Sequence, residues 1–159
     1  MPILLYRVDE RLIHGQVVVG WGNSLKFDRV VLVNDQVASN AWERELYLAC
    51  VPPEVEAAIL SVDEASKKIL QKGFERERTV ILVDSPSDIL RMMEKGVKIR
   101  SVNVGGIHSR TGRKKILPYL FLGEEEISAF KKMISGGVKC ECRDVPLAEK
   151  HDLSALLEQ

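Results

Sequence analysis

The sequence predicts a single-domain α/β fold, an open and mostly parallel β-sheet with helices on both faces. Short β-branched runs alternate with helical patterns along the chain. One run, Thr79-Val80-Ile81-Leu82-Val83, is continuously apolar, as expected of a strand buried on both faces. Polar or glycine-rich stretches follow where four of the runs end. Regular strand-helix alternation implies parallel strands joined by crossovers, with ligands held outside the strands' carboxyl ends. The 159 residues are read as one domain, 1–159.

The elements follow in order. Ile3 to Val8 reads as the first strand, and Gly15 to Trp21 as the start of a helix. Arg29 to Val33 is a second strand ending at Asn34-Asp35. Residues 38 to 50 read as one helix, with Ala38, Trp42, Leu46 and Ala49 at three- and four-residue steps. Glu56 to Ser61 is a strand after the Pro52-Pro53 break, and Asp63 to Lys72 a helix stopped by Gly73. The Thr79 to Val83 strand meets Ser85, a helix cap, with Pro86 at the first helical position and an end near Gly96. Arg100 to Val104 is a strand closed by Gly105-Gly106. A further strand covers Ile116 to Leu122, and a helix opens at Gly123 with Glu124, Glu125 and Glu126 in its first turn. Val138 to Arg143 is the last strand, and Leu153 to Leu157 a short closing helix.

Composition excludes several classes of function. Hydrophobic residues at 45% and charged residues at 29% describe an ordinary globule. Lys plus Arg and Asp plus Glu both number 23, which argues against nucleic acid as a partner. No apolar run approaches the roughly 18 residues of a membrane span, and Arg7 and Asp9 interrupt any signal-peptide pattern. No direct membrane insertion is therefore expected. Cys50, Cys140 and Cys142 form no even framework and no CxxC pair, so they read as reduced packing residues in a cytoplasmic protein. No spacing resembles a metal site, and no cofactor is expected.

Chemistry concentrates after the first strand, in Asp9-Glu10-Arg11-Leu12-Ile13-His14-Gly15-Gln16. An imidazole is a competent neutral nucleophile at pH 7. Arg11 supplies a planar fork that suits phosphate oxygens, and Gly15 permits close backbone approach. A helix starting there would direct amide N–H groups at an anion on the ring. Asp9 either holds Arg11 or fixes the His14 tautomer. Read blandly, the same residues are a turn histidine and a surface ion pair. Gly105-Gly106 alone is a tight turn, Asp84-Ser85-Pro86 a helix cap, and Asn34-Asp35 an Asx turn.

The stretch Arg7-Val8-Asp9-Glu10-Arg11-Leu12-Ile13-His14-Gly15-Gln16-Val17 closely resembles the N-terminal signature of the IIB component of the mannose/sorbose-type sugar phosphotransferase system. Val33 to Ala38, Asn103-Val104-Gly105-Gly106, Gly136-Gly137-Val138, Val145-Pro146 and Asp152-Leu153 fall in family-like order. The resemblance implies an open α/β fold and a cytoplasmic phosphotransferase that works in trans. Such a carrier takes a phosphoryl group on the loop histidine from a phosphorylated IIA partner. It passes the group to a sugar as membrane IIC and IID proteins bring it in. On this sequence the resemblance makes His14 the acceptor and Arg11 the phosphate clamp, with Asp9 and Gln16 as loop neighbours. Gly15, Ser85 and the Gly105 and Gly106 amides are expected to support the loop or hold phosphate oxygens.

The segment Ile107 to Lys115 is more basic than the resemblance implies. Arg113, Lys114 and Lys115, with Arg110, are expected to steer a phosphorylated partner, and His108 to add little. Two rival readings share these residues. One is a regulatory phosphocarrier acting on another protein. The other is a non-covalent small-molecule or nucleotide module using Asn34-Asp35 and Gly105-Gly106.

Overall fold

The computed structural model describes residues 3–158, with only the backbone described at Gln16. Its strands are β1 (Ile3–Val8), β2 (Arg29–Val33), β3 (Glu56–Leu60), β4 (Thr79–Val83), β5 (Ser101–Val104), β8 (Lys139–Cys142) and β9 (His151–Asp152). They form one sheet in the order β3-β2-β4-β1-β5-β8-β9, parallel throughout except for the antiparallel β8–β9 pair. A separate antiparallel pair, β6 (Lys114–Leu117) and β7 (Leu120–Leu122), joins the main body through a bridge between Ile107 and Leu120.

Strand alternation divides the core between the two faces of the sheet. Val31, Val33, Ile81 and Val83 pack with Val62 and Ala65 of α4 (Val62–Leu70) and Ile89 and Met92 of α5 (Pro86–Glu94). Phe130 and Met133 of α6 (Glu124–Ser135) complete that layer. Val30, Leu32, Val80 and Leu82 face the other way, onto Leu12, Ile13, Val17, Val18 and Trp21. Every residue of β4 is fully buried, as its unbroken apolar run requires.

Local chemistry sets the ends of the elements. The Ser61 side chain accepts from the Glu64 amide at 3.1 Å, while the Glu64 carboxylate accepts from the Ser61 amide at 3.0 Å, so α4 opens with a capping box. Pro86 begins α5 behind the Ser85 cap, and Gly96 takes the left-handed backbone (φ 101°) just past its end.

Four local expectations are corrected. Residues 38 to 50 do not form one helix: Asn34 caps α2 (Asp35–Ala38), and Asn40 caps a second helix, α3 (Ala41–Leu48). Each asparagine accepts an amide three residues on, at 3.0 and 3.1 Å, and so restarts the helix. Trp42 and Leu46, expected to face the core, are mostly exposed. The strand expected over Ile116 to Leu122 is the β6–β7 hairpin, turned at Pro118-Tyr119 where proline offers no ladder donor. The chain leaves β8 and returns as β9 on its outer side before α7 (Leu153–Leu157). The helix after the first loop is π-helical over Gln16–Trp21 and continues as α1 (Gly22–Leu25).

β1 lies between β4 and β5. The chain leaves it toward β2 on one side, while β5 pairs with it on the other. Its carboxyl end therefore opens into the crevice where connections diverge.

Candidate functional site

The site is built on the alternation of β1. Val8 packs into the core with Val83 and Val104, so Arg7 must point to the other face. There its guanidinium is fully buried. It donates to Asn103 Oδ1, to the carbonyls of Arg143 and Asp144 at 2.8 Å each, and to Asp9 Oδ2 at 3.1 Å. The plane also lies 5.1 Å from the centre of the Trp21 ring, and Trp21 Nε1 reaches the Asp144 carbonyl at 3.5 Å.

Asp9, also fully buried, is the hub. Its amide donates to the Val83 carbonyl at 2.9 Å, continuing the β1 ladder by one residue. The chain then turns back. The Leu12 amide donates to the Asp9 carbonyl at 3.0 Å, and Leu12 adopts a left-handed backbone (φ 57°) while its side chain stays buried. This strained position, costing about 1–3 kcal/mol, folds Arg11 back over Asp9. The Arg11 amide and Nε reach Asp9 Oδ1 at 2.9 and 3.0 Å, and its terminal nitrogen reaches Asp9 Oδ2 at 2.9 Å. That nitrogen also reaches Asp144 Oδ1 at 2.8 Å. Nε2 of His14 stands 3.4 Å from Asp9 Oδ2.

The electrostatics follow from these contacts. Burial alone would push the Asp9 carboxyl up, but hydrogen bonds from His14 and Arg11 and the charge of Arg7 outweigh it. Asp9 is held well below the usual carboxylate range. An ionised carboxylate only accepts, so the proton in the contact with His14 resides on Nε2. The neutral ring then carries its lone pair on Nδ1.

Two glycines make room for this packing. A Cβ at Gly105 would run into the Arg7 guanidinium and the Asp9 carboxylate, and one at Gly106 would come within 2.9 Å of Arg11 Nε. Gly105 and Gly106 therefore support the loop. The Gly105 amide donates to the Val8 carbonyl at 2.8 Å, which corrects the expectation that it holds phosphate oxygens. The helix amides are similarly engaged. Those of Val17 and Val18 donate to the His14 carbonyl at 3.1 and 2.9 Å, so they are not aimed at an anion on the ring.

The other expected residues divide. Gly15 has ordinary helical dihedrals, and a Cβ there would meet nothing within 4 Å. Its glycine thus answers to no packing demand. The Gln16 side chain lies outside the described residues. Ser85 caps α5, accepting from the Ser87 amide at 3.2 Å, and faces a small pocket with Glu10, Asp84, Arg110 and Arg113 rather than the Asp9 cluster.

Arg113, expected to steer partners, is a structural tie. It donates to Glu10 and Glu126, each at 3.1 Å, and to the His108 carbonyl at 2.9 Å. Glu10 also accepts from the His108 amide at 2.6 Å, and His108 Nδ1 lies 3.4 Å from it. Burial would raise the Glu10 carboxyl, but Arg113 and the His108 amide hold it lower than usual. Glu10 thus fastens the 107–113 loop to the residue beside Asp9. Lys114 and Lys115 remain on the surface.

Sequence reasoning missed Arg7, Glu10 and Asp144 as members of the site. A charge inside the apolar run Ile3–Val8 was a signal for Arg7. No local signal marked Asp144, which arrives from the far end of the chain. Cys140 and Cys142 are buried, and burial pushes both thiols up to about 12, as suits unreactive core residues. Among the described residues, no group of His, Cys, Asp and Glu is arranged to hold a metal ion. No described helix is long and apolar enough to cross a membrane.

The model for the PTS system sorbose subfamily IIB component matches residues 3–159. The chain belongs to that family. It is 34% identical to the fructose-specific EIIB component of Bacillus subtilis over 99% of this chain and 96% of that protein. It is 35% identical to the mannose-specific EIIAB component of Escherichia coli over its full length, spanning about half (49%) of that relative. The IIBSor domain of the sorbose permease from Klebsiella pneumoniae superposes with a TM-score of 0.91 at 31% identity, over 99% of this chain and 97% of that one. A structure described as a phosphoenolpyruvate-dependent phosphotransferase system gives 0.92 at 34% identity, over 99% and 98%. As a IIB component, the protein is a phosphotransferase of the sugar phosphotransferase system and carries phosphoryl groups in sugar transport. Its sheet and helices are those of the IIB fold.

Proposed function

We propose that His14 is the phosphoryl carrier and that Nδ1 is the atom that carries it. The observation behind this reading is the contact between His14 Nε2 and the ionised, buried Asp9 carboxylate. As the Nδ1 lone pair bonds to phosphorus, the nitrogen–phosphorus bond of the donor phosphohistidine breaks, and its electron pair returns to the donor ring. His14, retaining its Nε2 proton, becomes positively charged, and Asp9 lies where that charge develops. Onward transfer reverses the change. A sugar hydroxyl oxygen bonds to phosphorus, its proton leaves to solvent, and the Nδ1–phosphorus electron pair returns to the ring.

Arg11 lies three residues from His14 with its guanidinium oriented by Asp9, so its role in this reading is to meet the phosphoryl oxygens. The open space at Gly15 suits close approach of a partner's ring. Lys114 and Lys115 would steer a phosphorylated protein, and the Gln16 side chain would support the loop. The donor is a phosphorylated IIA protein, and the acceptor is a sugar brought by a IIC/IID permease, with residues 1–159 acting as one IIB unit in the cytoplasm. Two names support these partners: the Escherichia coli relative is called EIIAB, and the Klebsiella structure is titled a domain of a sorbose permease. Relatives named for fructose, mannose and sorbose are 34%, 35% and 32% identical, which favours sugar choice by the membrane partners.

The test is incubation with a phosphorylated IIA domain, followed by peptide mapping at alkaline pH, where phosphohistidine survives. Label on the peptide containing His14, and sugar phosphate formed when permease membranes are added, are the expected results. Label elsewhere would overturn the assignment. Label at His14 without sugar phosphate would favour a regulatory carrier.

A further inference from the structure

The Arg11 guanidinium is shared between two carboxylates of unequal standing. Asp9 is fully buried and is held from its other side by Arg7 at 3.1 Å. Asp144 is the outer partner, 2.8 Å from the same Arg11 nitrogen, with a side chain 27% exposed on the loop after β8. The Asp144 backbone is fixed, because its carbonyl accepts from Arg7 at 2.8 Å and lies 3.5 Å from Trp21 Nε1. The following Pro146 reaches the π-helical stretch, 3.6 Å from where a Cβ on Gly20 would stand. A fixed backbone thus presents an accessible carboxylate to Arg11.

We propose that Asp144 is a positioning residue: it is the resting counter-anion of Arg11, displaced when a phosphoryl group arrives on His14, and it thereby sets how readily that group leaves. The inference rests on His14 being the carrier. Charge carries the argument. The resting cluster of Arg7, Asp9, Arg11 and Asp144 holds two cations and two anions. A phosphoryl group adds nearly two negative charges beside it. Asp9 cannot yield, since leaving would strand the buried Arg7. Asp144 can yield, because water can solvate its carboxylate once Arg11 turns to the phosphoryl oxygens. Its charge then opposes the phosphorylated state, which keeps the carrier from becoming a trap.

The experiment measures the equilibrium of phosphoryl exchange between a IIA domain and this chain, by phosphorus NMR of both phosphohistidines. Asp144→Asn should shift the equilibrium toward phosphorylated His14 by roughly three- to tenfold and slow return transfer by a similar factor. The thermal midpoint should change little. Asp144→Glu should restore the parental equilibrium. In an Arg11→Ala background the Asp144→Asn shift should fall below about twofold, because the effect runs through Arg11. An unchanged equilibrium in Asp144→Asn would overturn the proposal, as would a shift of equal size without Arg11. A parent that takes no phosphate at His14 would instead sink the carrier reading on which the proposal depends.

Discussion

Asp9 Oδ2 receives Arg7 at 3.1 Å, Arg11 at 2.9 Å and His14 Nε2 at 3.4 Å, so His14 is oriented by a carboxylate that two arginines keep ionised. The proton on Nε2 is thereby tied to a buried ion cluster and not to solvent. Removing any one member should have a distinct consequence.

His14→Ala should abolish phosphoryl uptake from a phosphorylated IIA domain. Its ring fills no core position, so stability should change by no more than about 1 kcal/mol. Uptake and denaturant unfolding, measured on the same preparation, check both halves.

Asp9→Asn should destabilise the fold by about 3–5 kcal/mol at neutral pH, because it leaves Arg7 charged and buried without its anion. A carboxyl depressed in the folded state contributes stability above its unfolded pKa. That contribution is lost as pH falls below about 4 toward the lower folded value. The deficit of the variant should therefore shrink between pH 7 and pH 3. Denaturant midpoints at the two values test this, and an equal deficit at both would show that the ionised carboxylate is not what stabilises the loop.

Arg11→Lys keeps a positive charge but loses the two-point contact with Asp9. Transfer should slow by roughly a hundredfold, with the fold retained. Rapid-quench measurement of the first turnover is the check, and a parental rate would remove Arg11 from the transfer step.

Gly105→Ala places a methyl group against Arg7 and Asp9. About 1–3 kcal/mol of destabilisation is expected, together with slower transfer because Asp9 must shift. Gly15→Ala provides the comparison, since its Cβ meets nothing within 4 Å and stability should hardly move.

Arg113→Ala should destabilise by roughly 1–3 kcal/mol, because Glu10 and Glu126 both lose their partner. Reversing Lys114 and Lys115 to glutamate should leave stability within about 0.5 kcal/mol and slow association with phosphorylated IIA. Added salt should shrink that difference. Transfer rates at two ionic strengths separate the structural cation from the steering ones.

The sequence by itself determined the strand-helix alternation, the buried central strand and the loop after β1. These are local properties: period, caps such as Ser61 and Ser85, and turn residues act over a few positions. It misjudged places where local signals competed. Asn40 restarts a helix inside an apparently continuous pattern, and Trp42 and Leu46 keep helical spacing without a core to face. The identity of His14 and Arg11 as the residues to test was also legible, from chemistry and resemblance.

Tertiary structure alone decided what holds those residues in place. Arg7 meets Asn103, and Arg11 meets Asp144, across separations of 96 and 133 positions that no period or local motif encodes. Only strand order brings β1, β5 and the loop after β8 together, and only the two-residue alternation of β1 sends Val8 into the core and Arg7 into the ion cluster. The same geometry turned Arg113 from an expected surface cation into a tie between Glu10 and Glu126. Charge pairing depends on which groups approach through space, whereas the sequence specifies only which groups are available.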